Sequence, residues 1–176
     1  MLLFVVRKDA GETVAFYKDI LDMDLIGAIA EDKVPSTKEP DPYMHIFLDA
    51  GMGNILAFFE LPNSPPMGRD PNTPEWTQHI AFQVENVEVL DKVKARAEKH
   101  GLDVIGPTDH TIFKSIYFFD PNGHRLELAA DTGTPKMAKM LDEVKWEMLE
   151  EWSKTKRAPK HAAWMHDGSM AGETTQ

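Results

Sequence analysis

The chain has 176 residues, no cysteine and a formal net charge of −10 at pH 7. That length suits one domain or two small, tightly joined modules, and the acidic balance argues against nucleic acid or anionic membrane as partners. Without thiols there is no disulfide, no thiolate zinc site and no Cys nucleophile, so any metal must rest on His and carboxylates, donors that suit Fe(II), Mn, Zn, Ni or Co.

No apolar run is long enough to span a bilayer, and Leu2 to Val6 is too short for the core of a signal peptide. The expectation is a cytoplasmic protein. Leu2 to Val6 reads as a strand. Asp9 is positioned to cap a helix in which Val14, Phe16, Tyr17, Ile20 and Leu21 recur at helical spacing. Asp24 to Gly27 reads as the end of a strand, and the prolines and charges of Lys33 to Pro42 predict a loop. Met44 to Asp49 and Asn54 to Leu61 read as two strands across the turn Ala50 to Gly53. A Pro-rich linker follows over Pro62 to Pro74.

The pattern then restarts. His79 to Val84 is a predicted strand, and Asn86 can cap a helix with Val87, Leu90, Val93 and Ala97 on one face, ending at Gly101. Asp103 to Gly106 reads as a strand ending. The apolar run Ile116 to Phe119 and the run Arg125 to Leu128 flank the turn Asp120-Pro121-Asn122-Gly123. Asp24 to Gly27 matches Asp103 to Gly106, and Leu2 to Val6 matches Ile80 to Val84, so the chain reads as two copies of a βαβββ unit. The boundaries are 1–66 for the first, 67–131 for the linker and second, 132–157 for an amphipathic C-terminal helix, and 158–176 for a partly disordered tail. In that helix Met137, Met140, Leu141, Val144, Met148, Leu149 and Trp152 recur at three and four, a pattern for core or dimer packing.

Glu127 lies between Leu126 and Leu128 on the last strand, so alternation turns it away from both, toward water or toward something that needs a carboxylate. The surrounding stretch, Thr108 to Glu127, holds His110, then Ile116-Tyr117, then Asp120-Pro121-Asn122-Gly123, then Glu127. This stretch resembles the signature of the extradiol ring-cleaving dioxygenases. The chain is thereby similar to the vicinal oxygen chelate superfamily, which also includes glyoxalase I and the fosfomycin- and bleomycin-resistance proteins. The resemblance covers roughly Leu2 to Ala130. It implies an α+β fold of paired βαβββ modules, with the sheets set around a cupped, metal-containing cleft and an added C-terminal helix.

The resemblance also assigns roles. His79, opening the second module, and Glu127 fall where the family places metal ligands. Glu60 falls where glyoxalase I has a carboxylate ligand. Tyr117 and His110 match the dioxygenase residues that line the substrate pocket, where a phenol and an imidazole can hydrogen-bond a substrate oxygen or move protons. His45, Asn54 and Phe58 are the first module's candidates for contacting substrate. The family's other His ligand maps to Met1 or Leu2, neither of which supplies an imidazole; the expectation is a His just upstream of Leu2 in a longer reading frame. The implied function is a metal-dependent enzyme using Fe(II) and O₂ to cleave a catecholic ring, as a homodimer acting on a small aromatic substrate. The alternatives are a glyoxalase-like lyase or isomerase acting on a carbonyl substrate with Mn, Ni, Co or Zn, in which Asn54 and Glu60 fit, and a binding protein that uses the same cleft without turnover.

Overall fold

The computed structural model describes residues 2–6, 9–65 and 68–170, with side chains described from Asp9 onward. Met1, the position to which the repeat maps the absent imidazole, lies outside the described residues. Strands β1 (Leu2–Val6), β2 (Leu25–Lys33), β3 (Pro40–Asp49) and β4 (Ile55–Glu60) make one sheet in the order β1-β4-β3-β2. Strands β5 (His79–Val84), β6 (Ile105–Asp109), β7 (Phe113–Phe119) and β8 (Arg125–Asp131) make a second sheet in the order β5-β8-β7-β6. One helix follows the first strand of each sheet: α1 (Ala10–Leu21) and α2 (Val87–Lys99). Both sheets thus have the same strand order, as expected of paired βαβββ modules in an α+β fold. A third helix, α3 (Pro135–Thr155), follows the second sheet.

The helix starts are those the sequence indicates. Asp9 accepts a hydrogen bond from the Glu12 amide, and Asn86 Oδ1 accepts one from the Val89 amide at 2.9 Å. Each satisfies a donor that the first helical turn leaves unpaired.

Two strands differ from the sequence reading. β2 does not end near Gly27 but runs on to Lys33, and Glu31 pairs with Tyr43 and Lys33 with Pro40. The stretch predicted as a loop is therefore mostly a hairpin, with the turn confined to residues 34–39. Prolines are tolerated there because β4 pairs with β3 only from Met44 onward, so Pro40 and Pro42 have a strand partner on one side alone. In the second module the strand begins at Ile105, where the sequence suggested an end. Its register shifts between Ile105 and Thr108. Gly106, at φ 107°, sits in the shift; a Cβ there would lie 2.5 Å from the Ser115 carbonyl oxygen, so no other residue fits without moving backbone.

The chain divides into two interleaved compact units: Met1–Ile80 with Arg96–Asp103 and Phe118–Leu126, and Ala81–Ala95 with Val104–Tyr117 and Glu127–Gln176. In the first, Tyr17, Ile20, Ile46, Leu48, Leu56, Phe58 and Phe118 are buried. The Tyr17 ring lies 5.1 Å from that of Phe58. In the second, Ile116, Leu128 and Ala130 are buried, and Met137 packs with Trp164 and Met170. The segment read as a partly disordered tail thus carries three buried side chains, Ala162, Trp164 and Met170, and residues 171–176 lie outside the described set. Only the start of α3 is covered: Leu149 and Trp152, expected on its packed stripe, stand 55% and 47% exposed.

Candidate functional site

The turn Asp120-Pro121-Asn122-Gly123 is a buried scaffold rather than a surface loop. Asp120 and Asn122 are 4% and 2% exposed. Oδ1 of Asp120 accepts the backbone amides of Asn122 and His124, at 2.9 and 2.7 Å. Its Oδ2 accepts the Tyr17 hydroxyl and the Asn122 side-chain amide, both at 3.1 Å. Burial pushes the Tyr17 phenol well above its ordinary pKa, and the Asp120 carboxylate beside it adds to the shift. The acid of this motif therefore fixes the chain just before β8.

On β7, alternation puts Ser115 and Tyr117 on one face. Glu127, from β8, lies against both. It is 6% exposed, and its Oε1 accepts the Ser115 hydroxyl at 2.5 Å and the Tyr117 hydroxyl at 3.1 Å. The sequence left open whether this carboxylate meets water or a partner; the structure gives it two hydroxyl donors. His110 Nε2 lies 3.0 Å from the Tyr117 oxygen. Because the single phenolic hydrogen points to Glu127, Nε2 carries the hydrogen toward Tyr117. The His110 ring is stacked on Phe113 at 4.7 Å, and its backbone amide donates to the Phe113 carbonyl. An imidazole, a phenol and a carboxylate are thus joined in one hydrogen-bonded line, an arrangement able to hold or pass a proton. Ser115 was not singled out in the sequence; its spacing of two from Tyr117 is the signal that could have marked it.

The remaining candidates fall elsewhere. His79 and Glu127 belong to different compact units. His79 is exposed, and its Nδ1 donates to the Trp76 carbonyl at 3.0 Å. Glu60 Oε2 accepts the Ala10 amide at 2.8 Å, a position in which its charge complements the N-terminus of α1. Asn54 donates from its side chain to the Gly51 carbonyl and so closes the β3–β4 turn. Phe58 is wholly buried against Tyr17 and packs the core rather than lining a cleft. His45 is stacked on Phe59 at 3.8 Å and lies 4.1 Å from Phe47. Its Nε2 is buried with no hydrogen-bond partner, and desolvation lowers its pKa.

The family implied by the motif uses a divalent metal. Glu127 and His79, each within its own unit, are residue types that can serve as donors to such an ion. Among the described residues, however, no three His, Asp or Glu side chains are grouped so as to hold an ion. Among the described residues the donors match a metal in kind and fall short in number.

A family model for the Glyoxalase/Bleomycin resistance protein/Dioxygenase superfamily matches residues 2–128. The chain is 31% identical over 108 residues to the metallothiol transferase FosB of Shouchella clausii, covering 54% of this chain and 73% of that protein. It is 30% identical over 126 residues to the putative ring-cleaving dioxygenase MhqA of Bacillus subtilis, covering 70% of this chain and 37% of that longer protein. Among solved structures, the trypanothione-dependent glyoxalase I of Leishmania major aligns with a TM-score of 0.54 at 21% identity, over 86% of this chain and 94% of that one. The fosfomycin resistance protein FosX of Listeria monocytogenes, solved with Mn(II), aligns with a TM-score of 0.50 at 23% identity, over 77% of this chain and 93% of that one. The structural likenesses carry the fold, and the residues matched carry the membership: this chain belongs to the glyoxalase/bleomycin resistance protein/dioxygenase superfamily.

Proposed function

We propose that the chain is a small-molecule enzyme with chemistry of the ring-cleaving dioxygenase type, acting on an aromatic substrate with adjacent hydroxyl groups. The observation that carries this reading is the line His110–Tyr117–Glu127, with Ser115 as a second donor to the carboxylate. A catecholic substrate must lose a phenolic proton before its ring can be attacked by O₂. An imidazole hydrogen-bonded to a phenol, itself hydrogen-bonded to a carboxylate, can accept such a proton and share it along the line. Glu127, itself bonded by Ser115, accepts from the Tyr117 hydroxyl, so a substrate oxygen would meet a group already oriented. The likeness to the putative ring-cleaving dioxygenase MhqA supports the same reaction class.

The cofactor proposed for this reading is Fe(II), with Glu127 as a donor. Glu60, already engaged by the Ala10 amide, speaks against the glyoxalase-like reading, in which it would be a ligand and proton carrier. The shortage of grouped donors among the described residues supports, as second reading, a small-molecule binding protein without turnover.

The test is anaerobic loading with Fe(II), then addition of catechol and air, with O₂ uptake and product absorbance followed. Tyr117→Phe and His110→Gln are each expected to lower turnover by about 10²-fold or more, with bound iron unchanged. Glu127→Ala is expected to lower bound iron. Wild-type protein that binds catechols yet consumes no O₂ would establish the binding reading instead. Turnover unaffected by both Tyr117→Phe and His110→Gln would remove the proton line from the reaction.

A further inference from the structure

A cavity of about 350 Å³ lies in the first compact unit, where the Pro-rich linker meets the turn before β8. Its polar lining comes from Arg69, Thr77, Gln78, His79, His124 and Arg125, and no acidic residue is among the lining residues. In a chain of net charge −10 that is an unusual place to find two guanidinium groups together.

Arg69 is held in place on three sides. Its Nη1 pairs with Glu75 at 2.5 Å, its Nη2 donates to the Gly123 carbonyl at 2.7 Å, and its guanidinium lies 4.7 Å from the centre of the Phe119 ring. These bonds occupy two of the five N–H donors of a guanidinium, so three remain for a ligand. An Arg needed only to neutralise Glu75 would not have to stack on an aromatic ring and reach a backbone carbonyl. The contacts fix its plane, which is what bidentate recognition of an oxyanion requires. Arg125 adds a second positive charge to the same cavity, and the cavity's size suits a group on a small molecule rather than a macromolecule.

We propose that this cavity binds the oxyanion group of a small ligand, a carboxylate or a phosphonate, with Arg69 as the anchor and Arg125 as the supporting charge. As a statement about the ligand it rests on the reading of the chain as a protein that acts on small molecules. As a statement about binding it stands on the cavity alone, so it is tested without metal or O₂.

The experiment is calorimetric titration of the full chain with benzoate, phenylphosphonate and, as the neutral control of equal shape, benzamide. Benzoate or phenylphosphonate is expected to bind at least about tenfold more tightly than benzamide, with added salt weakening the anions only. The tighter of the two anions identifies the oxyanion class. Arg69→Gln and Arg125→Gln are each expected to lower anion affinity by on the order of tenfold and to leave benzamide unchanged. Arg69→Lys keeps the charge but loses the planar fork, and is expected to restore only part of the loss. Because Arg69 also ties the linker to the turn, circular dichroism checks each variant, and Arg125→Gln provides the test should Arg69→Gln fail to fold. Equal affinity for benzoate, phenylphosphonate and benzamide would overturn the proposal. So would anion affinity unchanged in the folded variants, or no anion binding up to about 10 mM. Catechol turnover alongside any of these results would leave the enzyme reading standing.

Discussion

Replacing Asp120 by Ala is the most informative single perturbation of the scaffold. The carboxylate accepts four hydrogen bonds, two from backbone amides and two from the side chains of Tyr17 and Asn122. Tyr17 is fully buried and Asn122 nearly so, and their donors would remain dry after the substitution. A buried donor left without an acceptor costs about 1–3 kcal/mol, so these two side-chain donors alone set an expected loss of about 2–6 kcal/mol. For a chain of this length that is a fall in melting temperature of roughly 4–24 °C. The assay is urea unfolding followed by far-UV circular dichroism: the midpoint should fall while the slope stays the same, since the surface exposed on unfolding is unchanged. Asp120→Asn keeps one acceptor oxygen for the backbone amides of Asn122 and His124 and should lie between wild type and Asp120→Ala. A loss below about 1 kcal/mol for Asp120→Ala would refute the reasoning, because it would mean the turn holds its shape without the carboxylate.

Two further predictions concern pH. Tyr17 has its folded pKa raised above the usual phenol value, so the folded state keeps its proton where the unfolded state loses it; stability should decline as pH rises above about 10. Tyr17→Phe should be less stable at neutral pH, by about 1 kcal/mol for the lost bond to Asp120, and should show a shallower alkaline decline in pH-dependent urea midpoints. His45 is shifted the other way: desolvation lowers its folded pKa, so the unfolded chain takes up the proton first and stability should be lost as pH falls through about 6.5. His45→Phe keeps an aromatic ring between Phe47 and Phe59 and removes the unpartnered nitrogen. It should therefore raise the melting temperature and flatten the acidic limb, and a lowered melting temperature with an unchanged limb would count against a buried, neutral imidazole there.

The sequence by itself determined what is local or repeated. Alternation and helical spacing placed the strands and helices, and Asp9 and Asn86 marked two helix starts because a cap acts within one turn. The repeat of strand and helix patterns foretold two sheets of one strand order, and the spacing from Asp120 to Glu127 pointed to the superfamily. Only the tertiary structure decided which side chains meet. Glu60 and Ala10 are 50 residues apart, as Arg69 and Gly123 are 54 apart, and no periodicity in the chain relates them. The strand position offered to Glu127 by alternation is equally compatible with water; what makes it a buried member of a hydrogen-bonded line is that Ser115 and Tyr117 arrive on the neighbouring strand. Phe58 reads as a pocket residue from its place in the family pattern, and the packing of Tyr17 against it makes it core. Propensity and turn chemistry act over a few residues and can be read along the chain. Hydrogen-bond partners and burial depend on which strands lie side by side, and that is settled only when the whole sheet has formed.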